Sequence, residues 1–310
     1  MAQVKRWYLE EGLAARPTPA EARAALHTYM PELLPVYETL RALAGPDEVA
    51  HRMLGNYAPP SVIGGCSQAV WTGAGGPALV RNYDFDVAFT TGIIEATRWL
   101  GRRVVAMNEA AWGCLDGMNE EGLVVSLTFG GRPAHGRGFS MPLILRHVLE
   151  TCSRVDEAVA RLTHIPVSMA QNVTVLDRTG DFATVFVGAD REPAAARWPA
   201  CTNHQETIGW PAHAAASRSV ERHARLTSRL AEPGMTLDAL IAGMLQPPLY
   251  ALDAARRFAT VYTAVYRPVD AVVEYLWPGH AWRQTFDHFE PGAYTHVYGA
   301  PGRAHCPLAV

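Results

Sequence analysis

A glycine pair runs into a cysteine at Gly64-Gly65-Cys66, and fifteen residues later the chain reads Arg81-Asn82-Tyr83-Asp84. A free cysteine is most often a small buried hydrophobe. Its neighbours here favour chemistry. Between the two motifs lie Ala69-Val70-Trp71-Thr72, a glycine-rich turn over Gly73 to Gly76, and Ala78-Leu79-Val80. That order reads as strand, hairpin turn, strand. A hairpin returns its second strand beside the start of the first, so Arg81 and Asp84 are expected near the Cys66 thiol. A neighbouring cation favours the thiolate, which is the reactive species. Taken alone, Arg81 and Asp84 read equally well as a strand-end ion pair of small energetic value.

Further segments carry side chains suited to the same work. Downstream come Asp116-Gly117-Met118-Asn119-Glu120-Glu121-Gly122-Leu123, Asn172 in Asn172-Val173-Thr174-Val175, Thr202-Asn203-His204, and Ser219-Val220-Glu221-Arg222. Together with Cys66 and Arg81-Asn82-Tyr83-Asp84, they resemble the N-terminal-nucleophile hydrolases that cleave linear amides. That superfamily includes choloylglycine hydrolase, penicillin V acylase, acid ceramidase-like enzymes and the acyl-CoA:6-aminopenicillanic acid acyltransferase. The resemblance runs from about Ala58 to Pro278, and the helical leader before Cys66 points to the acyltransferase-like branch. It implies an α+β fold with a four-layer αββα sandwich. It also implies a leader over 1–65 and a catalytic domain over 66–310, separated by self-cleavage at Gly65-Cys66.

The implied chemistry starts with attack of the Cys66 thiol on the Gly65 carbonyl. Glycine suits that position, since it accepts strained backbone and leaves the carbonyl uncovered. An N-to-S shift gives a thioester and frees the Cys66 α-amine, and water then hydrolyses the thioester. An α-amine titrates at ~7.7–8.0, close to what general base catalysis prefers. The resemblance gives Asp84 the α-ammonium as its partner, Arg81 the thiolate, and Arg222 a further active-site charge. Asn172 is expected to donate to the oxyanion. Thr128, Asn82, Asn203 and His204 are expected to serve the oxyanion or the substrate. Where bile salt hydrolases carry Leu-Asn-Phe, this chain has Leu127-Thr128-Phe129, which argues against bile-salt specificity. Arg222 on an arginine-rich helix reads equally as a solvated charge, and Asn203-His204 as a structural pair.

The remaining composition narrows the partners. The chain has 310 residues, 49% hydrophobic and 18% charged, enough to bury a sizeable core. A net charge of −3 without a basic stripe argues against a nucleic-acid partner. Lys5 is the sole lysine, which removes Schiff-base, P-loop and Ser-x-x-Lys chemistries that need an interior lysine. The five cysteines (66, 114, 152, 201 and 306) show no disulfide spacing. A short polar N-terminus, and the lack of any apolar run of spanning length, point to a soluble cytoplasmic protein with no membrane partner. His280, His288, His296, His305 and Cys306 lack zinc-site spacing, so neither metal nor cofactor is expected. The expected partners are a small N-acyl substrate, the leader itself, which stays associated, and a second copy in a homo-oligomer.

Two classes of function stand. One is a self-processing amidase, with acyl transfer to an amine as its variant. The other is an uncut, non-catalytic binding protein on the same scaffold.

The elements that must position these residues follow from periodicity. Residues 18–45 read as helix with a capping box at Thr18-Pro19-Ala20-Glu21 and a break at Pro31 or Pro35. Strands are expected over 67–72, 78–83, 103–107, 111–116, 122–129, 171–177, 182–187, 259–267 and 270–276. Helices are expected over 141–151, 154–164, 214–231 and 236–245. The glycine-rich loop from Gly130 to Gly138 suits a lid, and the last thirty residues a surface wrap.

Overall fold

The structure, a computed structural model, describes residues 2–251 and 259–298. The leader is helical: α1 (Ala2–Tyr8), α2 (Pro19–Tyr29), α3 (Leu34–Ala44) and α4 (Glu48–Leu54). Thr18 caps α2 as its sequence requires. Its hydroxyl accepts the Glu21 N–H at 3.2 Å, and the Glu21 carboxylate accepts the Thr18 N–H at 2.8 Å. Pro31 breaks the run into a 3-10 turn (Pro31–Leu33), and Pro35 is tolerated in the first turn of α3, where no intrahelical N–H is lost. Lys5, expected on a loose terminus, lies on α1 and pairs with Asp47.

From Cys66 onward strands dominate. They are β1 (Gly65–Trp71), β2 (Ala78–Phe85), β3 (Ile94–Thr97), β4 (Val104–Glu109), β5 (Gly113–Asn119) and β6 (Val124–Phe129). Helices α5 (Met141–Thr151) and α6 (Val155–His164) follow. Then come β7 (Gln171–Leu176), β8 (Phe182–Gly188), β9 (Arg191–Ala196) and β10 (Ala200–Cys201). The chain continues through α7 (Pro211–Ala216), α8 (Ser219–Leu230), α9 (Leu237–Met244), β11 (Ala259–Arg267), β12 (Val272–Trp277) and β13 (His280–Thr285).

Among the described residues these strands make two antiparallel sheets. One has the order β10-β1-β2-β11-β12-β13, the other β3-β4-β5-β6-β7-β8-β9. Helices α8 and α9 lie on the first sheet, and α5 and α6 on the second. The result is the four-layer α+β sandwich that the resemblance implies.

The sheet faces explain the layering. On the seven-stranded sheet Gly113 and Gly117 approach α5 so closely that a Cβ at either would lie under 3 Å from Pro142 or Leu149. The alternate residues face the other sheet, and many are polar. Gln68 on β1 bridges the gap, donating to Thr174 and accepting from Ser126, both at 2.6 Å. Buried polar groups must be paired, so these cross-sheet bonds fix the sheets' relative register.

The leader shares the main core. Leu26, Met30, Leu33 and Tyr37 are fully buried within it, and Tyr37 stacks on Trp112 at 6.4 Å. Elements absent from the sequence expectation are α1, α4, β3, β9, β10 and β13. The strands among them include all four sheet edges, where one-sided pairing tolerates weak patterns such as Arg-Glu-Pro-Ala-Ala-Ala. The expected helix over 214–231 splits at Arg218, which takes a left-handed φ of 51°.

Candidate active site

Strand pairing decides which side chains meet Cys66. In β1–β2 the register sets Gly65 opposite Asp84, Cys66 opposite Tyr83 and Gln68 opposite Arg81. Paired residues share a face and neighbours alternate, so Cys66, Tyr83 and Arg81 all point between the sheets. The Arg81 Nη2 lies 3.4 Å from the Cys66 Sγ, and its guanidinium sits 5.0 Å over the Tyr83 ring. Arg81 therefore meets the thiol, as the hairpin requires.

Asp84 does not. The same alternation sends its side chain to the opposite face, toward α8. There its carboxylate pairs with Arg222 and accepts a 2.6 Å bond from the Thr260 hydroxyl. Only its main-chain N–H is turned to the sulfur. In the continuous chain the Cys66 N–H instead donates to the Asn203 Oδ1 at 2.9 Å. That oxygen also accepts from the Arg222 Nη2 at 2.7 Å. Asp84 thus reaches the Cys66 nitrogen through Arg222 and Asn203 rather than directly. Cys66, Asp84, Asn203 and Arg222 are all buried.

The two asparagines differ in how their side chains are used. The Asn172 amide nitrogen is committed to the Thr128 hydroxyl (3.0 Å), the Thr202 carbonyl (3.0 Å) and the His204 carbonyl (3.1 Å). Three acceptors exhaust its two hydrogens, so Asn172 clamps the 202–204 segment. Thr128 does likewise, donating to the Thr202 carbonyl at 2.7 Å. Asn203 is different: its Nδ2 is buried with no partner, while its Oδ1 holds the Cys66 nitrogen.

Asn82 is also structural. It donates to the Met244 and Leu249 carbonyls at 2.8 and 2.9 Å and accepts from the Thr263 hydroxyl at 2.7 Å, tying β2 to the helical layer. The His204 ring meets the Ser219 hydroxyl at 2.7 Å, anchoring the loop to α8. Burial holds its pKa below the usual histidine value, with His223 adding to the effect.

Burial pushes the Cys66 thiol above its ordinary pKa, against the opposing pull of Arg81. Burial thus outweighs the lowering by Arg81 that the hairpin led to be expected.

Sequence reasoning missed several groups here. Asp116, in the motif already noted, pairs with Arg81 across the sheets and accepts from the Tyr262 hydroxyl at 2.6 Å and from that of Tyr266. His213 on α7 packs its ring 4.8 Å from Phe129 and meets the Gly64 backbone. Glu109 ends β4 before two left-handed alanines, Ala110 (φ 55°) and Ala111 (φ 71°). Its Oε2 is buried without a partner, and burial raises its pKa to about 7. The motif flagged Asp116; the other two had no local signal.

The segment before Cys66 runs beside residues 135–138 and Met169. Ala58 donates to the Gly138 carbonyl, His135 contacts the Pro59 carbonyl at 2.7 Å, and the Val62 N–H points at the Met169 sulfur at 3.4 Å. The glycine-rich loop therefore lies along the leader. Cavities of about 260 and 250 Å³ occur elsewhere, one beside Arg103 and Phe286, the other beside Arg225 and Arg229. Neither is lined by Cys66.

Among the described residues no cluster of His, Cys, Asp and Glu could hold a metal, and no helix is long and apolar enough to cross a membrane. His305 and Cys306 lie outside the described residues.

A two-sheet αββα sandwich with a cysteine at the start of an inner strand, second after Gly65, is the architecture of the N-terminal-nucleophile hydrolases. Residues 71–282 match the family described as acyl-coenzyme A:6-aminopenicillanic acid acyl-transferase, and the chain belongs to that family. Among solved structures, penicillin V acylase from Agrobacterium tumefaciens is similar with a TM-score of 0.52 at 16% identity, over 72% of this chain and 86% of that one. The C2A mutant of conjugated bile acid hydrolase from Clostridium perfringens gives 0.48 at 14% identity, over 77% and 99%. The Caenorhabditis elegans ortholog of N-acylethanolamine-hydrolyzing acid amidase gives 0.47 at 16%, over 66% and 93%. No curated protein matches the chain.

Proposed function

We propose that the protein is a self-processing cysteine amidohydrolase that cleaves a linear N-acyl bond through a thioester on Cys66. The observation that carries this reading is the double grip on one residue. The Asn203 Oδ1, itself held by Arg222 at 2.7 Å, accepts the Cys66 N–H at 2.9 Å, while Arg81 faces the Cys66 sulfur at 3.4 Å.

Maturation begins when the thiol attacks the Gly65 carbonyl and its proton passes to the departing Cys66 nitrogen. The N-to-S shift breaks the Gly65–Cys66 C–N bond, frees the α-amine and leaves a thioester, which water hydrolyses to the Gly65 carboxylate and the Cys66 thiol. Because burial favours the neutral thiol, turnover needs a base. The α-amine supplies it from the same residue, with an ordinary pKa of ~7.7–8.0. The thiolate then attacks the substrate amide, the protonated α-amine returns its proton to the leaving amine, and water resolves the thioester. Asn203 is the oxyanion donor in this reading, since its Nδ2 alone of the two candidate amides is uncommitted. One such donor contributes ~2.7–4 kcal/mol to the transition state elsewhere.

Intact-mass measurement tests it. The wild-type protein should yield fragments 1–65 and 66–310, and Cys66→Ala should remain one inactive chain. Wild-type protein that stays whole and still turns over amides would refute the mechanism. Protein that stays whole and turns over nothing would favour the non-catalytic binding protein.

Acyl transfer is a second reading, favoured by the family to which the chain belongs. Both activities share the thioester, so the acceptor decides. A hydrolase releases free acid in water, and an added amine diverts part of it. Saturable transfer from a CoA thioester with negligible hydrolysis would establish the transferase instead.

A further inference from the structure

The residue that faces the Cys66 sulfur is itself held from behind. The Arg81 Nη1 pairs with the Asp116 Oδ2, while its Nη2 is the atom at the sulfur. Asp116 takes two further donors, the Tyr262 hydroxyl at 2.6 Å on the same oxygen and the Tyr266 hydroxyl on the other. The Tyr266 hydroxyl meets that of Tyr275 at 3.3 Å. The group is assembled from four strands, β2, β5, β11 and β12, and all five of these side chains are fully buried. A guanidinium in so dry a space must be compensated. The compensating charge also reduces what the guanidinium offers to the sulfur. Tyrosine hydroxyls that share the carboxylate's charge return part of that pull.

We infer that Asp116, with Tyr262 and Tyr266, is the positioning anion that aims Arg81 at Cys66 and sets how strongly it favours the thiolate. The inference builds on the reading of Cys66 as the nucleophile. The other titratable groups that interact with the sulfur are Tyr83 and Asp84 on β2 and Cys201 on β10, and Glu109 on β4 acts on Tyr83. Asp116 acts on the Tyr83 hydroxyl only through space, while its hydrogen-bonded link to the sulfur is Arg81. The sulfur's titration should therefore respond to Asp116 through Arg81.

Charge logic gives the two kinds of variant opposite signs. Asp116→Asn removes the counter-charge, so Arg81 acts undiminished and Cys66 should titrate about one pH unit lower. Tyr262→Phe or Tyr266→Phe leaves the carboxylate with fewer donors, so its charge falls more heavily on Arg81. Cys66 should then titrate higher, by roughly half a unit. The measurement is the pH profile of iodoacetamide alkylation at Cys66 in the full-length protein, read on tryptic peptides. A peptide beginning at Met53 reports uncut chain and one beginning at Cys66 reports cut chain, so both states are followed separately. If the reagent does not reach the sulfur, the thiolate's ultraviolet absorbance, taken as a difference from Cys66→Ala, gives the same midpoint.

Opposite shifts support the inference. Shifts of one sign, or none, overturn it, because a merely structural role would loosen the site alike in every variant. If Asp116→Asn does not fold, the two tyrosine variants decide alone: an upward shift supports the inference and an unchanged midpoint overturns it. The readout is stoichiometric labelling, so it stands apart from whether the chain cuts itself or hydrolyses any amide.

Discussion

Asn203 accepts the backbone N–H of Cys66 on its side-chain oxygen at 2.9 Å, across 137 positions of sequence. The same carboxamide keeps its NH2 buried and without a hydrogen-bond partner. A buried donor without a partner costs about 1–3 kcal/mol, so its persistence beside Gly65-Cys66 fits a donor kept in reserve for a developing oxyanion.

Asn203→Ala is accordingly expected to lower both self-cleavage and kcat by ~10²–10³-fold while leaving the protein folded. Asn172→Ala should behave differently. It frees the 202–204 segment and should cost stability, on the order of 1–3 kcal/mol by denaturant titration. An Asn172 variant of normal stability but abolished chemistry would return the oxyanion role to that residue.

The Asp84–Arg222 pair is almost fully buried, with side chains 2% and 5% exposed. Arg222→Leu strands a carboxylate whose remaining side-chain partner among the described residues is the Thr260 hydroxyl. It should cost roughly 3–5 kcal/mol of stability. Asp84→Asn should cost stability too, as well as activity. Equilibrium unfolding would show this; a loss under about 1 kcal/mol would mean the pair is solvated.

Glu109 gives a pH dependence of defined sign. Its folded pKa of about 7 stands above the ordinary glutamate value, with burial as the main cause. The native state therefore holds a proton that the unfolded state has released between about pH 4.5 and 7. The resulting stability is complete below pH 4.5, falls as pH rises to 7, and is flat above. Glu109→Gln should remove that slope and be more stable than wild type at pH 8, by on the order of 3 kcal/mol. Parallel melting curves for the two proteins from pH 5 to 8 would contradict this.

The leader should stay bound after cleavage. Tyr37 stacks on Trp112, the Trp112 indole donates to the Leu54 carbonyl at 2.8 Å, and Glu32 meets His147 at 3.0 Å and Arg161 at 3.3 Å. Fragments 1–65 and 66–310 are expected to co-elute in native size exclusion and to part only in denaturant. Free fragment 66–310 in native buffer would mean that these contacts do not survive the cut.

Sequence alone determined what is local. The hairpin from Cys66 to Asp84 was legible because strand period and a glycine-rich turn lie within twenty residues, and it brought Arg81 to the sulfur. Helices α5 and α6 were legible from continuous helical patterning. The order of strands and helices, joined to the motif resemblance, gave the layered α+β class. Tertiary structure decided what depends on side-chain face and distant pairing. A one-residue alternation in β2 turned Asp84 away from Cys66 and onto Arg222, a partner 138 positions away. Packing of the 202–204 segment set the Asn203 side chain at the Cys66 nitrogen and committed the Asn172 amide to that segment's carbonyls. Apposition of the two sheets placed Asp116 behind Arg81 and a neutralising charge behind the nucleophile. Local propensity carries no information on these contacts, because each joins groups that only the packing of separate strands brings within hydrogen-bond reach.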